Sequence, residues 1–448
     1  MSDTVRDASP SNGPAGINDP ALLERRAFMK RLMIGSGAAA FAAMGAATLS
    51  TGMAWAADPS PSASASTPPS GGPPPGGGPA NQSVTDDFFG LTADGYRIDD
   101  LFAVHSTGVS TAEVVAAATA FLAALDDTQK AAAQFDLRSI EWRQWSNVDS
   151  YVRNGVQLGE MTAAQKQAGL ALVRSALSAR GITLTDTIRR INGVAGRLIG
   201  STVTFNEDYY FFTVMGNPSA TEPWGFQFEG HHLVLNYFVL GDQVVTTPSF
   251  LGSEPTTVTD DQTGAELSVF GDFFDLAVTT INALTPAHAA TAILTSDKTG
   301  DDNVAEAFKD NVEVSYAGVR ADGFSTAEKR ALLALIAHFL SVHDTGHAAV
   351  KLAEVTRHID DTYFAWKGAT TDDAVFWLRV QSPVIYIEFD CETPGPLGSI
   401  YGAGGPGGGS KGTPSRQHVH CVIRTPNGND YGKELLHMHY ATAPHHRH

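Results

Sequence analysis

Four histidines lie in the segment 416–440, and their spacing restricts how this end of the chain can fold. His418 and His420 are separated by one residue in the run HVHCVI, which has the β-branched composition of a strand. Because side chains alternate between the two faces of a strand, both imidazoles are predicted to share one face. A turn and a short helix after this strand would bring His437 or His439 back towards them. The pattern predicts a site with three nitrogen ligands for Zn²⁺, Cu²⁺ or Fe²⁺.

A second pair of histidines, His231 and His232, follows the aromatic run WGFQFEG. Adjacent residues of a strand face opposite sides, so at most one of the two is predicted to reach the C-terminal histidines. Gly230 permits close approach of the backbone, and the aromatic residues are predicted to form one wall of a pocket. The alternative is that one imidazole is a hydrogen-bonded core residue.

Cys391 and Cys421 are the only cysteines of the chain. Alternation places Cys421 on the strand face opposite His418 and His420, which argues against a copper centre with mixed cysteine and histidine ligands. Neighbouring strands would bring the two thiols together. In an oxidising compartment they are predicted to form a disulfide, which would contribute about 3 kcal/mol.

The N-terminal region has the features of an export signal. The basic segment ERRAFMKR (24–31) precedes an apolar run at 32–47 and a small-residue site at 54–56. It resembles a twin-arginine signal through Arg25, Arg26, Phe28 and Lys30, although Glu24 replaces the usual Ser or Thr. We therefore expect export by the twin-arginine translocase to the periplasm or the medium, with no stable membrane span in the mature form. The alternative, a single membrane anchor, is disfavoured by the short, Gly- and Ala-rich apolar run.

Composition divides the remainder into a linker and one folded domain. The Pro/Gly/Ser-rich stretch 57–82 has almost no apolar residue and is predicted to be a linker after the leader, 1–56. The domain is predicted to span 83–443. Its Gly-rich insertion at 402–412 is predicted to be a flexible lid if it lies beside the site.

Helix signals are strongest in the first part of this domain. The tetrapeptide STAE at 110–113 and again at 325–328 predicts two capping boxes, each followed by apolar residues at helical spacing. A third helix is predicted from Thr162 to a C-cap at Gly181. Further helices are predicted at 273–284 and 286–294.

Strand patterns begin at Thr202, in the runs TVTFNEDYYFFTVMG and HHLVLNYFVLGDQVVTT, with Gly241-Asp242 as a hairpin turn. Three more strands are predicted in TYFAWKG, AVFWLRV and PVIYIEFD. The predicted fold class is therefore α+β, with a helical N-terminal part packed on an antiparallel sheet in a single large domain.

Charge and motif content exclude several functions. The formal net charge is −18, which disfavours nucleic acid and anionic membranes as partners and favours a neutral or cationic small-molecule substrate. The chain has no G-x-S-x-G elbow, no P-loop and no dinucleotide-binding glycine turn between a strand and a helix.

Several motifs in combination resemble domain-of-unknown-function family 3500, a family of bacterial exported proteins. They are Trp224-Gly225, the segment 230–233, the segment 247–252, His418-x-His420 with Arg424, and Asp430-Tyr431-Gly432. The resemblance covers nearly all of the predicted domain. It implies no established reaction, so it supports the choice of residues rather than a chemistry.

The main hypothesis is an exported metal-dependent enzyme, most simply a hydrolase, with zinc or copper as the expected divalent ion. Such an ion activates water for attack on a carbonyl or phosphoryl group. Its candidate ligands are His231, His232, His418, His420 and His437. The alternatives are a copper or iron oxidoreductase, a non-enzymatic metal-binding protein, and a metal-free pocket whose histidines act as acids and bases.

Four further residues are candidate catalytic groups. Glu229 or Glu254 would serve as the general base. Arg424 would bind an anionic group of the substrate or a developing oxyanion, and Asp430 is predicted to lie beside it.

Overall fold

A thirteen-stranded mixed sheet is the main feature of the described part of the chain, residues 86–398, 400 and 412–442 of the computed structural model. In chain order the strands are β1 (Gln134–Phe135), β2 (Val156–Gln157), β3 (Tyr210–Met215), β4 (Trp224–Gly230), β5 (Leu233–Leu240), β6 (Gln243–Val245), β7 (Ser249–Ser253), β8 (Thr257–Thr259), β9 (Glu266–Ser268), β10 (Ile293–Thr295), β11 (Val319–Arg320), β12 (Tyr363–Gly368), β13 (Phe376–Gln381), β14 (Tyr386–Cys391) and β15 (Val419–Arg424). Strands β8 and β9 form a separate two-stranded sheet.

The large sheet follows the order β1-β3-β4-β5-β7-β15-β14-β13-β12-β10. Three short strands pair beside this path, β2 with β3, β6 with β5 and β11 with β12. Neighbours from β3 to β12 are antiparallel, whereas β1 and β10 run parallel to their neighbours. The three consecutive strands predicted before the histidine segment are confirmed as β12, β13 and β14.

Nine α-helices occur in the described residues. They are α1 (Ala112–Ala124), α2 (Asp127–Ala133), α3 (Ala163–Ser175), α4 (Ala179–Ile199), α5 (Gly271–Asn282), α6 (Pro286–Ala292), α7 (Thr326–Leu340), α8 (Thr345–Arg357) and α9 (Lys433–Thr442). Helix α1 packs on the sheet through Phe121, whose ring centroid lies 4.9 Å from that of Phe212 on β3. The predicted α+β class is confirmed.

Strand β15 lies near the middle of the sheet, between β7 and β14, and its two faces differ in chemistry. Val419, Cys421 and Ile423 are buried and belong to the hydrophobic core. Phe389 lies directly opposite Cys421 on β14, and its ring contacts three phenylalanines of α5 and its N-terminal turn, Phe270, Phe273 and Phe274. His420 occupies the other face, so the predicted separation of cysteine and histidine faces is confirmed.

Two of the three predicted helix starts form as predicted. Thr162 and Ser325 each accept a hydrogen bond from the backbone N–H three residues later, and both complete a capping box. The box predicted at 110–113 does not form. There Thr111 is the N-cap without a side-chain capping bond, because its hydroxyl instead donates to the Gly241 carbonyl over 2.7 Å.

The predicted C-cap at Gly181 is wrong. Helix α3 ends at Ser175, and Gly181 lies inside α4. A Cβ at this position would approach the Val342 carbonyl oxygen to 1.9 Å. The glycine is therefore required by close packing between α4 and the residues that follow α7, and not by a helix end.

Several predicted features lie outside the described residues: the leader with its twin-arginine segment, the linker at 57–82, and the Gly-rich insertion except Gly412. Among the described residues, no helix combines the length and the apolar composition needed to cross a membrane.

The predicted disulfide is absent, since Cys391 and Cys421 are both free and buried. Cys391 pairs with Val419, and Cys421 pairs with Phe389, so the two thiols occupy diagonal positions on one face of adjacent strands. Diagonal Cα atoms lie about 7–8 Å apart, beyond the separation of about 4.4–6.8 Å that a disulfide spans. Burial raises the pKa of both thiols, that of Cys391 to about 12.

We expect neither thiol to react in the native protein, because each is buried and its thiolate is disfavoured. A thiol-specific reagent such as dithionitrobenzoate should detect no cysteine at pH 8 and two per chain after denaturation. A Cys391–Cys421 cross-linked peptide in the unreduced protein would contradict this structure.

Candidate metal centre

Three imidazoles converge beside the centre of the sheet. The Nε2 atoms of His418 and His420 lie 3.1 Å apart, those of His420 and His232 lie 3.2 Å apart, and those of His418 and His232 lie 3.4 Å apart. These residues form one of the groups in the described chain that could hold a metal ion. The predicted pairing of His418 with His420 on one face is therefore confirmed, and His232 completes the triangle.

The size of this triangle suits a metal ion. Two nitrogens bound at about 2.0–2.1 Å lie about 3.3–3.4 Å apart at a tetrahedral angle and about 2.9 Å apart at a right angle. The observed separations of 3.1–3.4 Å fall between these values. Zinc, copper and iron all accept such a set of imidazole nitrogens.

Hydrogen bonds at the opposite ring nitrogens direct two of the Nε2 lone pairs into the triangle. His418 Nδ1 lies 2.7 Å from the Thr393 carbonyl oxygen, which can only accept, so Nδ1 carries the proton. His420 Nδ1 lies 2.8 Å from Glu306 Oε1 and donates to that carboxylate. In neutral rings both Nε2 atoms are then unprotonated, and their lone pairs repel one another unless a cation lies between them.

His232 reaches the triangle from a turn rather than from a strand. Gly230 pairs with Leu233, so His231 and His232 are the two residues of the hairpin connection between β4 and β5. His232 adopts a left-handed backbone conformation with φ 60°. The assumption that the two histidines alternate across a strand is therefore wrong, because the strand ends at Gly230.

His231 supports His232 and does not join the three Nε2 atoms. The two rings stack with centroids 3.9 Å apart, and His231 Nδ1 lies 2.7 Å from Asn192 Oδ1 on α4. The Phe205 ring packs edge-on against His231 with centroids 4.7 Å apart. His231 thus has the hydrogen-bonded core role that was the alternative reading of this pair.

Gly252 provides the space for the His232 ring. Strand register places Gly252 directly opposite His420, and its N–H donates to the His232 carbonyl over 2.7 Å. A Cβ at this position would lie 3.1 Å from His232 Cδ2 and 2.8 Å from the Val419 carbonyl oxygen. Any larger residue must therefore displace the backbone of β15 or the imidazole.

The surroundings favour neutral imidazoles at two positions. Burial lowers the pKa of His232 well below its usual value, and the neighbouring histidines lower it further. Burial and the adjacent His420 lower the pKa of His418 to about 3. Burial alone would also lower the pKa of His420, but the Glu306 carboxylate offsets this and raises it. The neutral rings of His232 and His418 therefore each have an unprotonated nitrogen near pH 7.

Carboxylates that the sequence analysis missed lie on the same face of the sheet. Asp390 pairs directly with His420 across β14 and β15, and Glu388 and Glu392 are two residues away on either side. In the sequence IEFDCE these acids alternate with Ile387, Phe389 and Cys391. Acidic residues at a period of two in an otherwise apolar strand were the signal that could have identified them.

These carboxylates hold the loop that carries Glu306. Asp390 Oδ2 accepts the backbone N–H groups of residues 302 and 303 at 2.6 and 3.2 Å. Glu388 Oε2 accepts those of residues 304 and 305 at 2.9 and 3.2 Å. Four backbone donors thus fix the loop and place the Glu306 carboxylate on His420.

Glu392 completes the acidic surroundings of His420. Its Oε1 lies 3.5 Å from His420 Nδ1. Burial, together with the charges of Asp390 and Glu306, raises the pKa of Glu392 far above its usual value. The neutral acid is therefore favoured at this position.

Glu254 directly follows Ser253, the last residue of β7, which pairs with Val419 at the start of β15. His420 is close enough to influence the pKa of the Glu254 carboxyl. Glu254 Oε1 accepts the Gly395 N–H at 2.8 Å. Burial raises the pKa of this carboxyl to about 7, although the hydrogen bond from Gly395 and the charge of His420 lower it. A carboxyl with this pKa can take up and release a proton near neutral pH.

Glu229, the other candidate base, forms a buried ion pair. Its Oε2 lies 3.3 Å from Arg153 Nε and accepts the Ser146 N–H at 3.0 Å. Arg153 in turn donates to the carbonyls of Ser146 and Val148. The next residue along, Asn147, accepts the His232 N–H at 3.1 Å. Glu229 therefore stabilises the segment whose Asn147 carbonyl binds the His232 N–H.

Arg424 and Asp430 are placed in a separate buried network. Arg424 Nη2 lies 2.6 Å from Asp310 Oδ1, and its Nε lies 3.4 Å from Asp430 Oδ2. Arg424 lies four positions after His420 on the strand, a distance of about 13 Å. Both side chains are fully buried, so the structure gives Arg424 carboxylate partners within the protein rather than a place beside the imidazoles.

The structure does not bring His437 to the three imidazoles. It lies on an exposed position of α9, and the group of His232, His418 and His420 does not include it. In the preceding turn, the Tyr431 N–H donates to the Thr247 carbonyl over 2.7 Å. This contact lies at the end of β15 that is farther from His418. The chain after β15 therefore continues away from the site instead of returning to it.

Comparison with known proteins identifies the family. The model of the family described as "Protein of unknown function (DUF3500)" matches residues 107–433, which include all three histidines. No curated protein and no solved structure matches the chain.

We expect Gly252→Ala to reduce metal affinity by about 10–100-fold, because the added Cβ displaces His232 or the β15 backbone. The matched control is Gly271→Ala, where a Cβ meets no atom within 4 Å. Isothermal titration of metal-free protein with Zn²⁺ measures both variants. Equal affinities of the two variants for Zn²⁺ would show that the position of the His232 ring does not depend on the space at Gly252.

Proposed function

The chain belongs to the DUF3500 family, and we propose that it is an exported metal-dependent hydrolase with a mononuclear centre formed by His232, His418 and His420. The observation that carries the proposal is the triangle of Nε2 atoms separated by 3.1–3.4 Å. Export is supported by the twin-arginine pattern at Arg25 and Arg26, and the expected ion is zinc or copper.

The number of ligands favours catalysis over storage. Among the described residues, the metal-binding group at this centre consists of three side chains, which leaves a coordination position for water or substrate. A divalent ion bound there would supply Lewis acidity that polarises a substrate carbonyl and makes water a better nucleophile. A carrier or structural site would instead surround the ion with four side chains.

The surrounding residues have complementary roles. Glu306 accepts the Nδ1 proton of His420, which fixes the ring orientation and increases the basicity of Nε2. The Thr393 carbonyl does the same for His418 without adding a charge. Glu254 is the proposed general base, because it follows the end of β7, interacts electrostatically with His420, and has a pKa that burial raises to about 7.

His418→Ala should reduce the metal content from about one ion per chain to near zero, because loss of one of three ligands removes most of the binding energy. His437→Ala and Val419→Ala should retain the ion, since neither side chain belongs to the triangle. Elemental analysis of protein purified without an affinity tag, with circular dichroism as the folding control, measures this. Full metal content in His418→Ala would refute the centre, and copper or iron in the wild type would favour redox chemistry.

Glu254→Gln should keep the metal and lower kcat for ester hydrolysis about 100-fold or more, because the amide cannot accept a proton. The matched control is Glu266→Gln, an exposed carboxylate on β9. Stopped-flow measurement with p-nitrophenyl acetate and the zinc-loaded protein compares the two. A wild-type kcat in Glu254→Gln would remove Glu254 as the base.

A further inference from the structure

Several exposed apolar side chains lie on segments that contact the three histidines or their supports. The described residues contain thirteen exposed large hydrophobic side chains, and six of them lie on four segments that contact this site. The six are Val148, Val152, Leu198, Val203, Val304 and Ile400. Val203 and Val152 are 77% and 60% exposed, so they are not part of the core.

Each of the four segments touches the imidazoles or their immediate supports. The first, 146–152, accepts the His232 N–H at the Asn147 carbonyl. The second, 195–205, contacts His231 through the Phe205 ring. The third, 302–308, carries Glu306, and the fourth, 393–398 with residue 400, begins with the Thr393 carbonyl that binds His418.

The segments also contact one another, and we refer to the four segments together as the rim. Thr204 Oγ1 donates to Asp149 Oδ2 at 3.1 Å, which joins the second segment to the first. The rings of Tyr151 and Phe308 pack with centroids 5.5 Å apart and join the first to the third. Phe205 and Leu397 belong to one buried cluster and join the second to the fourth. Exposed apolar side chains on segments that contact one another are candidates for one binding surface, whereas isolated ones are not.

Charges beside the site disfavour a negative charge on the part of the ligand that lies away from the proposed metal ion. Glu254, Glu306 and Asp301 are carboxylates at or near the imidazoles, and Asp301 accepts the Thr393 N–H at 2.7 Å. The nearby cations are engaged within the protein: Arg153 pairs with Glu229, and Lys298 pairs with Asp390 at 3.0 Å. A negatively charged substrate would meet these carboxylates in a partly desolvated site.

We propose that the rim formed by these four segments binds the apolar body of an uncharged small-molecule substrate and places its reacting group at the three histidines. The position of the reacting group rests on the proposed function, whereas the apolar binding surface does not. The substrate class is therefore an uncharged ester or amide with a hydrophobic chain or ring.

The test compares hydroxamic acids of two and eight carbons, titrated calorimetrically into the zinc-loaded protein. The eight-carbon probe should bind at least about tenfold tighter, because six additional methylene groups are partly buried on the rim. An eight-carbon probe that ends in a carboxylate should lose most of this gain. The double variant Val148→Asp/Val203→Asp should reduce the ratio between the long and short probes to below about threefold, with unchanged zinc content.

The matched control is Val104→Asp. Val104 is exposed, and the next residue, His105, donates its N–H to Gln243. Gln243 pairs with Leu240 at the end of β5 that is remote from His232. Val104→Asp should leave the ratio between the two probes unchanged. Equal affinity of the two- and eight-carbon probes in the wild type would overturn the inference and leave the metal centre intact. A protein that retains no zinc would overturn the proposed function instead, and titration with octanamide and acetamide then tests the rim alone. Tighter binding of the long amide would support the rim, and equal binding would overturn it.

Discussion

The pairing of β15 with β7 on one side and with β14 on the other is the constraint on which the site depends. It places Gly252 and Asp390 on either side of His420, so one neighbour makes room for an imidazole and the other holds the adjacent loop. A shift of one residue in either pairing would turn both histidines into the hydrophobic core, because side chains alternate between the faces of a strand. The apolar face, with Cys421 packed against the Phe389 cluster, therefore fixes the register that the histidines need.

Ionisable side chains are clustered on this face of the sheet. Three imidazole nitrogens point at one another, and four acidic side chains lie within the neighbouring strand and loop. Most of this charge is compensated internally, since Glu388 and Asp390 accept backbone N–H groups and Asp390 also pairs with Lys298. The three Nε2 atoms lie 3.1–3.4 Å from one another, and a bound cation would stabilise the lone pairs of the neutral imidazoles. In the second buried network Arg424 pairs with Asp310 at 2.6 Å and lies 3.4 Å from Asp430, which leaves Arg424 Nε and Asp430 Oδ2 without a hydrogen bond among the described residues.

The sequence predicted those elements whose signal is local. Period-two alternation correctly placed His418 and His420 together and Cys421 opposite them, and capping chemistry correctly placed the helix starts at Thr162 and Ser325. Local patterns misled where a tertiary contact competed with them. Thr111 bonds to Gly241 instead of capping its helix, and Gly181 is a packing glycine instead of a helix end.

The sequence by itself determined the α+β class and the two histidines of one strand, because both depend on residues close together along the chain, and it determined the family through motifs spread over the domain. The third ligand was decided only by the tertiary structure. His232 comes from a hairpin turn, held by a carbonyl of the 146–152 segment and by the space at Gly252, and no local pattern encodes either contact. His437 was excluded for the same reason, since the direction of the chain after β15 depends on how Tyr431 packs beside Thr247. Contacts between distant segments choose which imidazoles meet, whereas alternation along one strand only makes them available.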